Sequence, residues 1–283
     1  MRNTIADALA GAREKIAISE AKLLLRHVLG REAAYLEAHR EEALPDRADA
    51  RFAELVSRRA AGEPIAYLTG LREFYGRNFA VSPSVLIPRP ETELLVALGI
   101  AKLSGKPQAR ILELGTGCAC IAVSLALELA AARVTATDIS LDALVVARQN
   151  ATRHAAVLHF VESDWYTALV PAFGSGVLEG GRFDLIVTNP PYIPLGDSHL
   201  SQGDLRFEPP QALVSGADGL EAIRRIASNA PGHLLPGGWL LFEHGYDQAE
   251  AVRRLLEAAG YAKIEQHRDL AGIVRVSGGR VPC

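Results

Sequence analysis

The segment Asn189-Pro190-Pro191-Tyr192 carries the most chemistry in this chain. It combines an amide side chain, rigid backbone carbonyls without competing N–H groups, and an aromatic face. That set suits gripping a planar NH2 group. It follows the apolar run Phe183-Asp184-Leu185-Ile186-Val187-Thr188, which reads as a buried strand. Two prolines stop a strand, because neither donates a ladder hydrogen bond. The segment therefore falls at a strand's carboxyl end, where open α/β sheets place their ligands. Taken alone, it reads equally well as a Pro-rich turn.

A glycine loop far upstream shifts the balance. Ile111-Leu112-Glu113-Leu114 reads as a short strand, Gly115-Thr116-Gly117 as a tight turn, and Cys118 to Ala132 as an Ala/Leu-rich helix. The glycines permit close backbone approach to a ligand. A second strand from Arg133 ends in Asp138, roughly 20 residues after Gly117, the spacing at which an acid reaches ribose hydroxyls. A dinucleotide is excluded on two grounds. The third glycine of G-x-G-x-x-G is replaced by Cys120, and the Glu113 carboxylate would repel a pyrophosphate. The same carboxylate suits a cation. S-adenosylmethionine carries a sulfonium, an ammonium and a ribose, and no phosphate. The cofactor loop is accordingly read as Glu113, Gly115, Thr116, Gly117, Cys118 and Ala119, with Asp138 on the ribose and Asn189 at its edge. Each feature is weak alone, since an acid at a strand end is often only a helix cap. A third element, Ser163-Asp164-Trp165, follows the strand Val157–Val161. Asp164 could accept from an adenine amino group and Trp165 could stack on the base. The competing reading is a helix cap followed by a packing residue.

This ordered set resembles the HemK/PrmC family, the protein-(glutamine-N5) methyltransferases of peptide chain release factors. The resemblance spans nearly the whole chain. Gly62-Glu63-Pro64-Ile65-Ala66-Tyr67-Leu68-Thr69-Gly70 and Phe74-Tyr75-Gly76 match the family's inter-domain segment. Leu86-Ile87-Pro88-Arg89-Pro90-Glu91-Thr92-Glu93 matches its most distinctive linker motif. Glu208-Pro209, Gly216, Asp218-Gly219-Leu220 and Glu243-His244-Gly245 match later signatures. Two positions depart from the pattern: Ala119 stands where glycine is common, and Val274 where an acid is expected before Arg275. The resemblance implies methyl transfer from S-adenosylmethionine to the glutamine of a Gly-Gly-Gln loop in a release factor, leaving S-adenosylhomocysteine. Asn189 and the Pro190 carbonyl would then accept the two amide hydrogens, with Tyr192 packed on the amide plane and Pro191 completing the substrate site. No metal is needed. The alternative is a nucleic-acid amino-methyltransferase of the adenine N6 type, which uses the same chemistry on a flipped base.

The elements that must hold these residues follow from pattern. Among 283 residues, 49% are hydrophobic, enough for a sizeable core. Residues 1–70 read as a helical domain, with Ala21, Leu24, Leu25 and Val28 on one face, Gly30 as a stop, and a second stripe at Phe52, Leu55 and Val56. Its basic and acidic residues balance, so the Arg-rich look is a solvated face, and no direct nucleic-acid binding is expected. This domain is assigned to substrate recognition. Residues 71–90 read as a β-hairpin linker; Arg89 near its end and Glu91 and Glu93 just after it shape a pocket between domains or form a salt-bridge cluster. Residues 91–283 alternate strands and helices, which predicts a mainly parallel sheet with helices on both faces. The strands are placed at 110–114, 133–138, 157–162, 183–188, 236–243, 261–267 and 272–277. Such a chain resembles the class I S-adenosylmethionine-dependent methyltransferase fold, Rossmann-like α/β with seven strands. The polar stretch 194–217 reads as a mobile substrate loop or plain disorder. The net charge is −3, from 30 basic and 33 acidic residues, which argues against a chain dominated by phosphate contacts. Cys118, Cys120 and Cys283 make neither a disulfide framework nor a zinc spacing. No stretch approaches the ~18 consecutive apolar residues of a membrane span. A reduced cytoplasm is the expected home.

Overall fold

A computed structural model describes residues 3–169 and 181–283. One unit holds the residues up to Leu71 together with His199–Phe207. Thr4 opens α1 (Ile5–Arg13) through a reciprocal capping box with Asp7. Then follow α2 (Ile18–Leu29), α3 (Ala33–Ala38), α4 (Asp46–Ala60) and α5 (Ile65–Thr69). Gly30 ends α2 at φ +62°, the left-handed stop its position implied. Ala21, Leu24 and Leu25 of α2 meet Phe52, Leu55 and Val56 of α4 in one core, so both apolar stripes read from sequence are buried. Val28 packs at the edge of that core. The 199–207 segment is tied to the same unit. Arg206 donates to the Ala61 carbonyl at 2.7 Å, and Arg59 pairs with Asp204 at 3.4 Å. Gly62 sits at φ +97°, where a side chain would be strained, and packs against the Arg206 guanidinium.

The other unit comprises Arg72–Ser198 and Glu208–Cys283. The hairpin of β1 (Leu71–Phe74) and β2 (Arg77–Ala80) turns on Tyr75 and Gly76, both at positive φ. After α6 (Glu93–Lys102) come β3 (Arg110–Leu114), α7 (Cys120–Glu128), β4 (Arg133–Asp138), α8 (Leu141–Arg153), β5 (His159–Glu162) and β6 (Phe183–Thr188). The chain closes with α9 (Glu221–His233), β7 (Leu234–Glu243), α10 (Ala249–Ala258), β8 (Lys263–Arg268) and β9 (Val274–Arg280). Among the described residues the large sheet has seven strands in the order β5-β4-β3-β6-β7-β9-β8. β3 to β7 run parallel, and β9 runs antiparallel to both of its neighbours, β7 and β8. Leu112, Leu114, Ile186, Leu240 and Phe242 share a core with Ile223 and Ile226 of α9 and Val252 and Leu256 of α10. On another part of the sheet, α6 comes so close that a Cβ on Gly99 would sit 3.1 Å from Leu125 and 3.2 Å from Leu185.

Strand order reverses at β3: β4 and β5 lie to one side, β6 and β7 to the other. A crevice at the carboxyl ends of β3 and β6 is the expected result. Leu114 pairs with Thr188, and the Thr188 hydroxyl donates to the Leu114 carbonyl at 2.7 Å. The glycine loop and Asn189, seventy residues apart in sequence, therefore leave the sheet side by side. The 194–217 stretch is a folded insertion. Its base is clamped by the Ile193 and Ser215 amides donating to the Leu213 and Ile193 carbonyls at 2.9 Å each.

Candidate active site

A cavity of about 280 Å³ opens at this crevice. Its floor is the glycine loop, where Gly115, Gly117 and Ala119 take φ of 63°, 53° and 63°. These left-handed residues turn the chain from β3 into α7. Ala119 does so with a side chain, at a cost of about 1–2 kcal/mol relative to a residue free to adopt that region. Glu113 anchors the loop from below. It is buried, and its Oε2 accepts from the Thr116 hydroxyl and, at 3.0 Å, from the Ala122 amide in the first turn of α7. Both protein donors reach the same oxygen, which leaves Oε1 for a ligand or a proton. Burial pushes the Glu113 carboxyl up to about 8. Asp138, at the end of β4, accepts from the Gly117 amide on Oδ2 and the Ser140 amide on Oδ1, both at 2.9 Å. Burial raises its pKa against the pull of those amides. Each oxygen keeps a lone pair for a hydroxyl donor.

The walls come from farther away. Trp165, held at φ 53°, brings its ring to within 3.6 Å of where a Gly115 Cβ would stand. Asp164 lines the cavity but its carboxylate forms a fork with Arg225 of α9, at 3.0 and 2.7 Å. Ser163 turns this segment by accepting from the Ala168 amide at 3.1 Å. Ser84, Val85, Leu86 and Pro88 from the linker, with Pro209 and Gln211, form another wall. The two stretches are joined by Glu208, whose buried carboxylate accepts from the Ile87 amide at 3.1 Å and from Arg89. Glu93 caps the hairpin instead, accepting from the Tyr75 amide at 2.9 Å.

Asn189 completes the lining with Pro190 and Pro191. Its Nδ2 donates to the Thr92 hydroxyl at 3.2 Å, and its Oδ1 is buried without a hydrogen-bond partner. Buried amide oxygens are seldom left unpaired in native proteins. The Asn189 oxygen is thus a buried acceptor that the protein itself leaves unpaired. Tyr192 is not part of the cavity wall: it packs on the α9–α10 core and its hydroxyl donates to Glu243 at 3.1 Å. Its carbonyl accepts from Gln248 at 2.9 Å and presses on Gly219, where a Cβ would lie 2.4 Å away. His244 spends both ring nitrogens on the protein, on the Gly245 carbonyl and the Ser277 hydroxyl.

Comparison with known proteins bears on what this geometry belongs to. Residues 1–70 match the PrmC N-terminal domain model, and residues 92–202 match the methyltransferase small domain model. A release factor glutamine methyltransferase of Bordetella pertussis is 53% identical over 92% of this chain and 93% of its own length. Another of that name, from Xylella fastidiosa, is 47% identical over 97% of each chain. The chain belongs to the release factor glutamine methyltransferase family. Among solved structures, the hMettl16 catalytic domain in complex with MAT2A 3'UTR hairpin 1 overlays with a TM-score of 0.58, 14% identity and 90% of each chain. A methyltransferase from Pyrococcus furiosus overlays at 0.51, with 19% identity, 82% of this chain and 100% of that one. Likeness at that identity shows the class I methyltransferase fold alone.

Of the residues singled out in the sequence, Glu113, Gly115, Thr116, Gly117, Cys118, Asp138, Asp164, Trp165, Asn189, Pro190 and Pro191 line one cavity. Ala119 lies buried at the start of α7, and Tyr192 stands behind the wall. Residue-by-residue reading missed Thr92, Glu243, Glu208 and Asn150. Asn150 is fully buried in α8, accepts from the Ala80 amide at 2.7 Å and donates to the Cys118 carbonyl at 2.9 Å, stitching hairpin to loop. An asparagine inside an apolar helical stripe was its sequence signal. Thr92 and Glu243 lay in recognised motifs without an assigned job. The expected acid before Arg275 is supplied from elsewhere, by Asp269 at 3.4 Å.

Proposed function

We propose that this chain transfers a methyl group from S-adenosylmethionine to the side-chain amide nitrogen of a glutamine in a peptide chain release factor. The glutamine is that of the Gly-Gly-Gln loop implied by the family resemblance. The single observation that carries the reading is the unpartnered Asn189 Oδ1, buried beside a loop lined by two carboxylates. S-adenosylmethionine supplies an electrophilic methyl group on a sulfonium centre. The residues fit it: Asp138 has free lone pairs for ribose hydroxyls, Glu113 Oε1 answers a cation, and Trp165 and Ile139 offer apolar surface to a base. Asp164, already paired with Arg225, serves the base edge only through its remaining lone pairs.

A glutamine nitrogen is a poor nucleophile, because its lone pair is delocalised into the carbonyl. Positioning supplies much of what is missing, up to ~7–11 kcal/mol. Asn189 Oδ1 and the Pro190 carbonyl accept the two amide hydrogens and so point the lone pair out of the amide plane. They also stabilise the positive charge that grows on nitrogen. Nothing in the Asn189–Tyr192 segment is a base, and the proton leaves to water once the nitrogen has become acidic. The unit containing residues 1–70 binds the release factor away from the reacting glutamine.

Incubation with methyl-labelled S-adenosylmethionine, a release factor and RNA together tests the reading. Label on the release factor alone is expected. Label on RNA or DNA with none on the release factor would replace this reading with the nucleic-acid one.

A further inference from the structure

The Asn189 amide can work only if its oxygen, not its NH2, faces the acceptor. A primary amide flipped by half a turn would offer donors to a donor and repel it. Oxygen and nitrogen are nearly equal in size, so shape alone does not choose. Hydrogen-bond chemistry must choose.

Glu243, at the end of the central strand β7, is buried at 2% exposure, and so is Thr92. Two hydroxyls converge on the carboxylate: Thr92 Oγ1 on Oε2 at 2.6 Å and Tyr192 on Oε1 at 3.1 Å. Burial raises the Glu243 pKa, while the Thr92 and Tyr192 hydroxyls and Arg275 pull it down. In the ionised form the carboxylate only accepts, so the single Thr92 proton is committed to Glu243. Thr92 Oγ1 is then left with lone pairs alone, and its other neighbour must be a donor. That neighbour is Asn189 Nδ2 at 3.2 Å. Threonine at a helix N-cap commonly turns its hydroxyl onto the helix's own amides. Thr92 is the N-cap residue of α6 and makes no such bond. Its hydroxyl is given to the chain between Glu243 and Asn189 instead.

We infer that Glu243 and Thr92 are positioning residues that set the flip of the Asn189 amide and so hold its oxygen as the acceptor for the substrate NH2. The inference rests on the glutamine-amide reading above. Tyr192 acts in the same chain by holding the second Glu243 oxygen.

The test compares Thr92→Val, Thr92→Ser, Glu243→Gln and Asn189→Ala, and the double variant Thr92→Val with Asn189→Ala, in the full chain. Turnover on a release factor is measured with cofactor affinity by calorimetry. Thr92→Val and Glu243→Gln should each lower turnover roughly ten- to a hundredfold with cofactor affinity unchanged. Thr92→Ser, which keeps the hydroxyl, should restore most of it. Because Thr92 acts through Asn189, the double variant should be no slower than Asn189→Ala alone. Full turnover in Thr92→Val, or a loss that multiplies on top of Asn189→Ala, would overturn the relay and leave the function standing. A wild-type chain that labels no release factor would instead overturn the function. The relay is then read without activity, from the Asn189 side-chain NH2 signal in nitrogen-15 NMR. Thr92→Val should shift that signal and speed its exchange with water, and an unmoved signal would overturn the relay. If Thr92→Val does not fold, Glu243→Gln and Thr92→Ser carry the same comparison.

Discussion

At the scale of single residues, the two carboxylates of the cavity make distinct, measurable contributions. On the proposed reading, ribose hydroxyls donate to Asp138 in charge-assisted hydrogen bonds, worth ~1.5–3 kcal/mol. Asp138→Ala should therefore weaken S-adenosylmethionine binding roughly 10- to 150-fold in calorimetry, and unchanged affinity in the folded variant would remove Asp138 from the site. Glu113 introduces pH dependence. Its carboxyl, ordinarily at 4.5, stands at about 8 in the folded protein because burial disfavours the charge. A folded-state value raised above the unfolded one contributes stability that is present below 4.5 and is lost as pH rises through 8. A cationic ligand acts in the opposite sense, since it favours the ionised form and expels the proton. Affinity for the cofactor should rise between pH 6 and 8 by up to about tenfold per pH unit, then flatten. Glu113→Gln should bind more weakly and lose the slope. A wild-type affinity independent of pH across that window would show that Glu113 does not face the cation. The sequence marked Glu113 and Asp138 by their spacing from the loop glycines. It could not reveal that Glu113 spends one oxygen holding Ala122, since that bond depends on how α7 packs against β3.

At the scale of elements, the loop from β3 into α7 carries a local conflict between residue and conformation. Ala119 is at φ 63° and fully buried, a position where glycine avoids the clash of Cβ with the backbone. Ala119→Gly should relieve it and raise stability by about 0.5–1 kcal/mol after the added entropy of the unfolded chain. That is a gain of about 2 °C in midpoint for a chain of this size. A lower midpoint would mean that the Ala119 methyl packs more usefully than its backbone strains. The elements themselves were largely legible. Central strands such as β3, β4 and β6 fell where apolar runs placed them, because parallel strands buried on both faces are continuous apolar segments. Ends were less legible where glycine intervenes. β9 runs on to Arg280 through Gly278 and Gly279, past the expected end at residue 277. Both pair in the sheet, Gly278 with Leu241 and Gly279 with Leu240, and a Cβ there would meet the Leu240 carbonyl at 2.5 Å and the Tyr261 ring at 2.6 Å, respectively. β5 starts only at His159, since Val157 and Leu158 precede the first pairing with β4 and Val157 stays 90% exposed.

At the scale of the whole molecule, the division into two units was legible only in part. The helical character of residues 1–70 and its balanced charge were plain in the sequence, but membership of 199–207 in that unit was not. It depends on Arg206 and Asp204 finding Ala61 and Arg59 across more than a hundred residues. Binding energy gathered away from the reacting glutamine is what an intact release factor offers and a short peptide lacks. Removing residues 1–70 should raise KM for intact release factor far more than it changes cofactor affinity, once circular dichroism has shown the remainder folded. An unchanged KM would assign that unit to stability. Among the described residues no helix is long and apolar enough to cross a membrane. The central claim is that Asn189 presents a glutamine side-chain nitrogen for methylation. Its most direct measurement is tandem mass spectrometry of a release factor after incubation with the enzyme and S-adenosylmethionine. The wild-type chain should add one methyl group to the glutamine of the Gly-Gly-Gln loop. Asn189→Ala should slow that addition by roughly 10²–10³ while binding the cofactor normally. Methylation at any other atom, or an Asn189→Ala enzyme as fast as the wild type, would contradict it.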